Sequence, residues 1–89
     1  SYDTIDLSDN EIVVFENFPL LKHLRTIFFN NNNISKIKKG YGSTIPNIDT
    51  LIFTNNNISD LGELCSLSEY NNLTMLSFVH NPVVTKQHY

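Results

Sequence analysis

Residues 51–58 read Leu51-Ile52-Phe53-Thr54-Asn55-Asn56-Asn57-Ile58, and with Ile48 in front the frame is apolar-x-x-Leu-x-Phe-x-x-Asn-x-Ile. Three other stretches fit it. Tyr2, Ile5, Leu7, Asn10 and Ile12 form one, and Leu24, Ile27, Phe29, Asn32 and Ile34 the next. Leu73, Leu76, Phe78, Asn81 and Val83 form the last. The copies start at 2, 24, 48 and 73, at intervals of 22, 24 and 25 residues. Self-similarity at about 20–29 residues marks a stack of supersecondary units, each too small to bury its apolar face alone. One copy is a weak signal; four in phase are a strong one.

Each copy has three parts. Over residues 3–9, Ile5 and Leu7 alternate with Thr4, Asp6 and Ser8, the period-two pattern of a strand with one buried face. Asn10 then turns the chain, because asparagine tolerates left-handed backbone and bonds the turn through its amide. The apolar residues next recur in threes, Ile12, Phe15, Phe18, Leu21 and Leu24, which suits an extended or 3₁₀-like return. Copy three returns likewise through Ile58, Leu61, Leu64 and Leu67, with room for one helical turn at Ser66–Tyr70. Gly40 and Gly42 read as turn formers in copy two, and Pro82 as a stop after the last strand. Stacking in register predicts a buried ladder of Asn10, Asn32, Asn56 and Asn81, with Asn30, Asn31, Asn33, Asn55 and Asn57 left in water. This is the leucine-rich-repeat pattern. The expected fold is a single α/β solenoid over 1–89, with four repeats and a short parallel sheet on the concave face. Both caps are expected to be truncated, the chain reading as an excerpt of a longer protein.

Composition narrows the function. At 40% hydrophobic and 17% charged, the chain draws its polarity from asparagine more than from charge. A net charge of −3 gives no overall pull toward nucleic acid or an acidic membrane. The acids crowd the first copy (Asp3, Asp6, Asp9, Glu11, Glu16), while Lys22, Arg25, Lys36, Lys38 and Lys39 follow in the second, enough for a local basic patch or simply solvated charges that keep the solenoid soluble. Cys65 is the sole cysteine, which excludes an internal disulfide and a cysteine-rich metal site. No apolar run reaches membrane-spanning length. Neither a cofactor, a metal nor a small-molecule substrate is expected.

The strand residues between the core positions define the concave face. They form columns: Thr4, Thr26, Thr50 and Met75; Asp6, Phe28, Ile52 and Ser77; Ser8, Asn30, Thr54 and Val79; Asp9, Asn31, Asn55 and His80. Phe28, Ile52, Met75 and Val79 interrupt a polar surface, with Asp6, Asp9 and His80 at its ends. An apolar centre with a polar rim describes a protein-binding site. Catalysis has little support. Asp6 and Asp9 lie on an open sheet, His23, His80 and His88 show no ligand spacing, and Cys65 is on the return. No enzyme is expected.

A family resemblance covers the whole chain. Ser8-Asp9-Asn10-Glu11-Ile12, Phe18-Pro19-Leu20-Leu21, Asn31-Asn32-Asn33-Ile34, Leu51-Ile52-Phe53-Thr54-Asn55-Asn56, Asn81-Pro82-Val83 and His88-Tyr89 resemble the A-prime family of the U2 small nuclear ribonucleoprotein. The Phe-Pro-Leu-Leu step and the Asn-Pro-Val…His-Tyr ending distinguish it from other leucine-rich repeats. The resemblance implies a nuclear, non-enzymatic spliceosomal adaptor. Its concave face would receive a helix of an RNA-recognition-motif protein, U2 B-double-prime, and the pair would hold U2 snRNA in pre-mRNA splicing, with Lys22, Arg25, Lys36, Lys38 and Lys39 the candidates, by charge alone, for RNA contact. The rival reading is a regulatory repeat protein that binds a phosphatase or a cytoskeletal partner.

Overall fold

The computed structural model describes residues 3–86, with side chains to Val84; Tyr2, His88 and Tyr89 lie outside the described residues. Four strands, β1 (Thr4–Asp6), β3 (Thr26–Phe28), β5 (Thr50–Ile52) and β6 (Met75–Ser77), form one parallel sheet in the order β1-β3-β5-β6. The registers align Ile5, Ile27, Leu51 and Leu76 across it. A second parallel pair lies on the returning side, β2 (Val14–Phe15) with β4 (Lys36–Ile37). The third return is instead a helix, α1 (Leu61–Cys65), followed by a 3₁₀ turn at Ser66–Glu69. A last helix, α2, spans Pro82–Lys86.

The core lies between the main sheet and the returns. Phe15, Leu24, Ile27, Phe29, Ile34, Ile48, Leu51, Phe53 and Ile58 are buried almost completely. Each such side chain withdrawn from water contributes about 1.5–3 kcal/mol. The phenylalanines that follow the strands form a spine. Phe29 and Phe53 stack with ring centroids 5.3 Å apart, and Phe53 and Phe78 at 5.4 Å. Phe15, from the first return, meets Phe29 edge-on at 5.6 Å.

The asparagines hold the turns. Asn56 Nδ2 donates to Phe53 O in its own turn (3.0 Å) and to Phe29 O in the preceding repeat (2.8 Å). Its Oδ1 accepts from Ile34 N at 3.0 Å. Asn32 binds Leu7 O, Phe29 O and Ile12 N in the same way, and Asn81 binds Phe53 O, Phe78 O and Ile58 N. The ladder therefore has three buried rungs. Asn10, expected as the fourth, is exposed: its amide reaches only Leu7 O and Ser8 O, because no repeat is stacked beyond it among the described residues.

Asn31 and Asn55 are not simply solvated. Together with Asp9 they build a second, exposed ladder. Asn55 Nδ2 donates to Asn31 Oδ1 at 2.9 Å, and Asn31 Nδ2 to Asp9 Oδ1 at 2.7 Å. Asp9, Asn31, Asn55 and His80 all sit at φ 60°, the left-handed bend that ends each strand. Aspartate and asparagine adopt that bend more readily than most side chains.

The returns correct the period-three reading in copy three. Asp60 caps α1 by accepting from Gly62 N at 2.8 Å, and the helical pitch turns Leu61 outward, 48% exposed. Pro82 starts a helix, where its missing N–H is no loss. Of the two glycines, Gly40 has the positive φ (103°) of a turn former. At Gly42 a Cβ would come 2.8 Å from Glu69 Oε1, so any larger residue would push the Glu69 carboxylate out of place. The Glu69 carboxylate accepts from both Gly40 N and Gly42 N, at 2.9 Å each. Glu63 similarly accepts from Ile37 N at 2.8 Å, closing the edge of β4 where a third strand would pair.

The loops entering the strands also stack. Arg25 O accepts from Asp49 N and Thr50 N, and Asp49 O from Thr74 N and Met75 N. Arg25 and Asp49 form an ion pair at 2.8 Å. The Thr50 hydroxyl and then the Arg25 guanidinium hold the Asp49 carboxyl below its usual range.

Two outcomes follow for stability. Asn56→Ala strands the buried Ile34 N–H and leaves Phe29 O to Asn32 and Phe53 O to Asn81 alone, and should cost roughly 1–3 kcal/mol in urea unfolding, whereas Asn10→Ala should cost under about 1 kcal/mol. For Asp49, a depressed folded pKa means stability that is present above the unfolded carboxylate value of about 3.9 and lost as pH falls through the folded value. Asp49→Asn should therefore flatten the acid limb of the stability–pH curve and leave the curves parallel above about pH 5. The pair is exposed, so salt should shrink the difference.

Candidate functional site

Strand alternation sends Ile27, Phe29, Leu51 and Phe53 into the core, and their neighbours onto the open face of the sheet. The registers set Thr4, Thr26, Thr50 and Met75 in one row, and Asp6, Phe28, Ile52 and Ser77 in the next. Sheet bonding continues past the strands: Asp9 N donates to Asn30 O, Asn31 N to Thr54 O and Asn55 N to Val79 O. Ser8, Asn30, Thr54 and Val79 thus form the third row, and the left-handed residues Asp9, Asn31, Asn55 and His80 the rim.

Phe28 and Ile52 are direct cross-strand partners at the centre, and both are half-buried. Thr26, Thr50, Asn30 and Thr54 surround them, also half-buried. Met75 and Val79 on the last strand are 59% and 51% exposed. Asn30 Oδ1 is shielded from solvent with no hydrogen-bond partner. Asp6 and Asp9 lie on the β1 side. The adjacent Ser8, whose backbone N donates to Asp6 Oδ1 at 2.9 Å, holds the Asp6 carboxyl below its usual range, so it is an anion and a poor proton donor at neutral pH. Asp9 is engaged with Asn31, and His80 stands at the far side, beyond β6. The face offers shape, apolar area and acceptors, and no pair of groups matched for proton transfer.

Two features escaped the sequence. The free edge of β6 carries an apolar groove of about 570 Å³ lined by Leu76, Phe78, Val79, His80 and Val84. Leu76 occupies a core position, in register with fully buried Leu51, yet is 40% exposed because no strand pairs its outer side among the described residues. A polar groove of about 600 Å³ runs along the loops entering the strands, past Lys22, His23, Arg25, Asp49 and Asn72. The basic residues do not gather into one patch. Lys22 and Arg25 line this groove, and Arg25 is paired with Asp49. Lys36 and Lys38 lie with Lys39 on or just after β4 on the returning side, and Lys38 is paired with Glu16 at 2.8 Å. Cys65 is exposed at the end of α1. Among the described residues no group of His, Cys, Asp and Glu side chains is placed to hold a metal, and no helix is long and apolar enough to cross a membrane.

Comparison with known proteins agrees with this architecture. A leucine-rich-repeat family model matches residues 1–89. The chain is 46% identical over 88 residues to U2 small nuclear ribonucleoprotein A′ of Homo sapiens, covering 99% of this chain and 34% of that protein. To the protein of the same name from Arabidopsis thaliana it is 43% identical, covering 99% and 35%. Among solved structures, a chain of the Drosophila melanogaster SNF/U2A′ complex superposes with a TM-score of 0.95 at 41% identity, covering 99% of this chain and 51% of that one. The chain thus spans about a third of the length of these curated relatives. Matched by the family model from end to end, it belongs to the leucine-rich-repeat family, and its similarity to U2 small nuclear ribonucleoprotein A′ runs through its whole length.

Proposed function

We propose that the protein is a nuclear, non-enzymatic adaptor of the U2 small nuclear ribonucleoprotein, whose open sheet face receives a helix of the RNA-recognition-motif protein U2 B-double-prime. In this reading the chain shapes and steadies its partner, and U2 snRNA is held mainly through that partner during splicing. The observation that carries it is the half-buried Phe28–Ile52 pair at the centre of the open face, ringed by threonine and asparagine. Such a pair is the part of an interface that gains most from losing water. The likeness to U2 A′ proteins, and to a chain solved in a SNF/U2A′ complex, supports this choice of partner over a phosphatase or a cytoskeletal protein.

A helix laid across the strands fits the face. Four strands at about 4.8 Å spacing span roughly 14 Å, about ten residues of helix. Met75 and Val79 then extend the apolar centre toward β6, and Thr26, Asn30, Thr50, Thr54 and Ser77 supply polar contacts around it.

The test is the pair Phe28→Asp and Ile52→Asp in the full-length protein, with U2 B-double-prime as ligand. Both side chains are already half-buried, so covering the rest is worth about 0.7–1.5 kcal/mol each, and the double variant should bind at least about 10-fold more weakly. Circular dichroism should show the fold intact, since neither residue is in the core. Undiminished binding by a folded variant would overturn the proposal.

A further inference from the structure

Charge is distributed across the open face in one direction only. Residues 1–21 contain Asp3, Asp6, Asp9, Glu11 and Glu16 and no Lys or Arg. Glu16 is paired with Lys38 on the returning side, and the other four are exposed at the β1 side of the molecule. The rows on β3, β5 and β6 hold threonine, asparagine, serine, apolar side chains and His80, with no carboxylate or permanent cation. Arg25, just before β3, is compensated by Asp49. From β1 toward β6 the surface therefore passes from anionic to apolar within about three strand spacings, roughly 14 Å.

Asp6 and Phe28 are direct register partners, as are Phe28 and Ile52. Whatever seats apolar side chains on Phe28 and Ile52 has its next turn over Asp6. An uncharged side chain there would desolvate a carboxylate without compensation, and an acidic one would be repelled. The geometry points to a polarised occupant: a helix with a Lys or Arg on its docking face over β1, one or two turns from the apolar side chains that meet Phe28 and Ile52. The acids fix the direction in which the helix lies across the sheet and speed its encounter, while the apolar centre supplies most of the lifetime of the complex. This rests on the proposed partner-binding role of the face and adds to it the direction and charge of the partner.

Substitution by asparagine tests this without disturbing the backbone. In Asp6→Asn the amide oxygen still accepts from Ser8 N, now 2.9 Å from the carboxylate. In Asp9→Asn it still accepts from Asn31 Nδ2, and asparagine keeps the left-handed bend. The control is Asp60→Asn, which removes one charge from the returning side and preserves the cap of α1. Full-length proteins are mixed with U2 B-double-prime, and association rates are followed from low to high salt. The double variant should associate about ten-fold more slowly than wild type near 50 mM salt, and the gap should close to under about two-fold near 0.5 M, where charges are screened within a few ångströms. The control should match wild type throughout. Equal rates for the double variant and the control at every salt concentration, with thermal midpoints unchanged, would overturn the inference. If Phe28→Asp with Ile52→Asp abolishes binding while the aspartate pair is inert, only the polarity is wrong. If wild type fails to bind U2 B-double-prime, the docking proposal falls and the polarity with it.

Discussion

The structure depends on a buried primary amide that must be fully bonded. At Asn32, Asn56 and Asn81 one side chain spends its donors on carbonyls of two successive repeats and its acceptor on an N–H of the earlier one. Those backbone groups lie where the chain leaves the sheet and are out of reach of ladder bonding. Neighbouring asparagines share Phe29 O and Phe53 O, so it is the N–H groups of Ile34 and Ile58 that loss of one amide leaves buried and unpaired, at about 1–3 kcal/mol each. The same bonds fix how far one repeat can shift on the next. The spacing they set lets Phe29, Phe53 and Phe78 stack and keeps the strand residues in register. Aspartate could accept here but not donate, and glutamine would place the amide one carbon too far, so the position is specific for asparagine.

A second constraint follows at the strand ends. The chain must leave the sheet through a left-handed residue, at Asp9, Asn31, Asn55 and His80. Three of these link side chain to side chain along the rim. His80 adopts the same bend without an amide, at a strain typically of 1–3 kcal/mol for a side chain other than glycine. The rim of the open face is thus ordered by backbone geometry before any partner arrives. A sheet face held in this way loses little conformational freedom on binding, which leaves more of the contact energy for affinity.

How much of this the sequence revealed follows from what each signal measures. The repeat frame placed all four strands, their register and the alternation of core and open face, because period two is a direct consequence of the pleat. It also marked the asparagine column, although a rung is buried and fully bonded only against a preceding repeat, which Asn32, Asn56 and Asn81 have and Asn10 lacks among the described residues. Leu61 was misread because apolar spacing of three fits both an extended return and a short helix, and the Asp60 cap decides between them. The carboxylate anchors Glu63 and Glu69 reach backbone N–H groups more than twenty residues away in sequence, a distance no local pattern reports. On the candidate face, position was legible and accessibility was not. The exposure of Leu76 depends on whether a strand lies beside β6, and none does among the described residues, while the separation of the basic residues depends on which acids they meet.

The same open geometry sets the electrostatics of this surface. A catalytic carboxylate or imidazole needs burial or a charged neighbour to bring its pKa toward neutrality. Here Asp6 and Asp49 are pushed the other way, by hydrogen-bond donors at a wet surface. Tyr70 does move upward, through burial, but it lies in the core behind the sheet, where no partner reaches it. A parallel sheet built from three-residue strands has no room to fold a wall over its own face. What it offers is a flat, pre-set array with an apolar middle and one charged side, and in the docking role proposed for it the order of side chains along the partner's helix is what such an array reads.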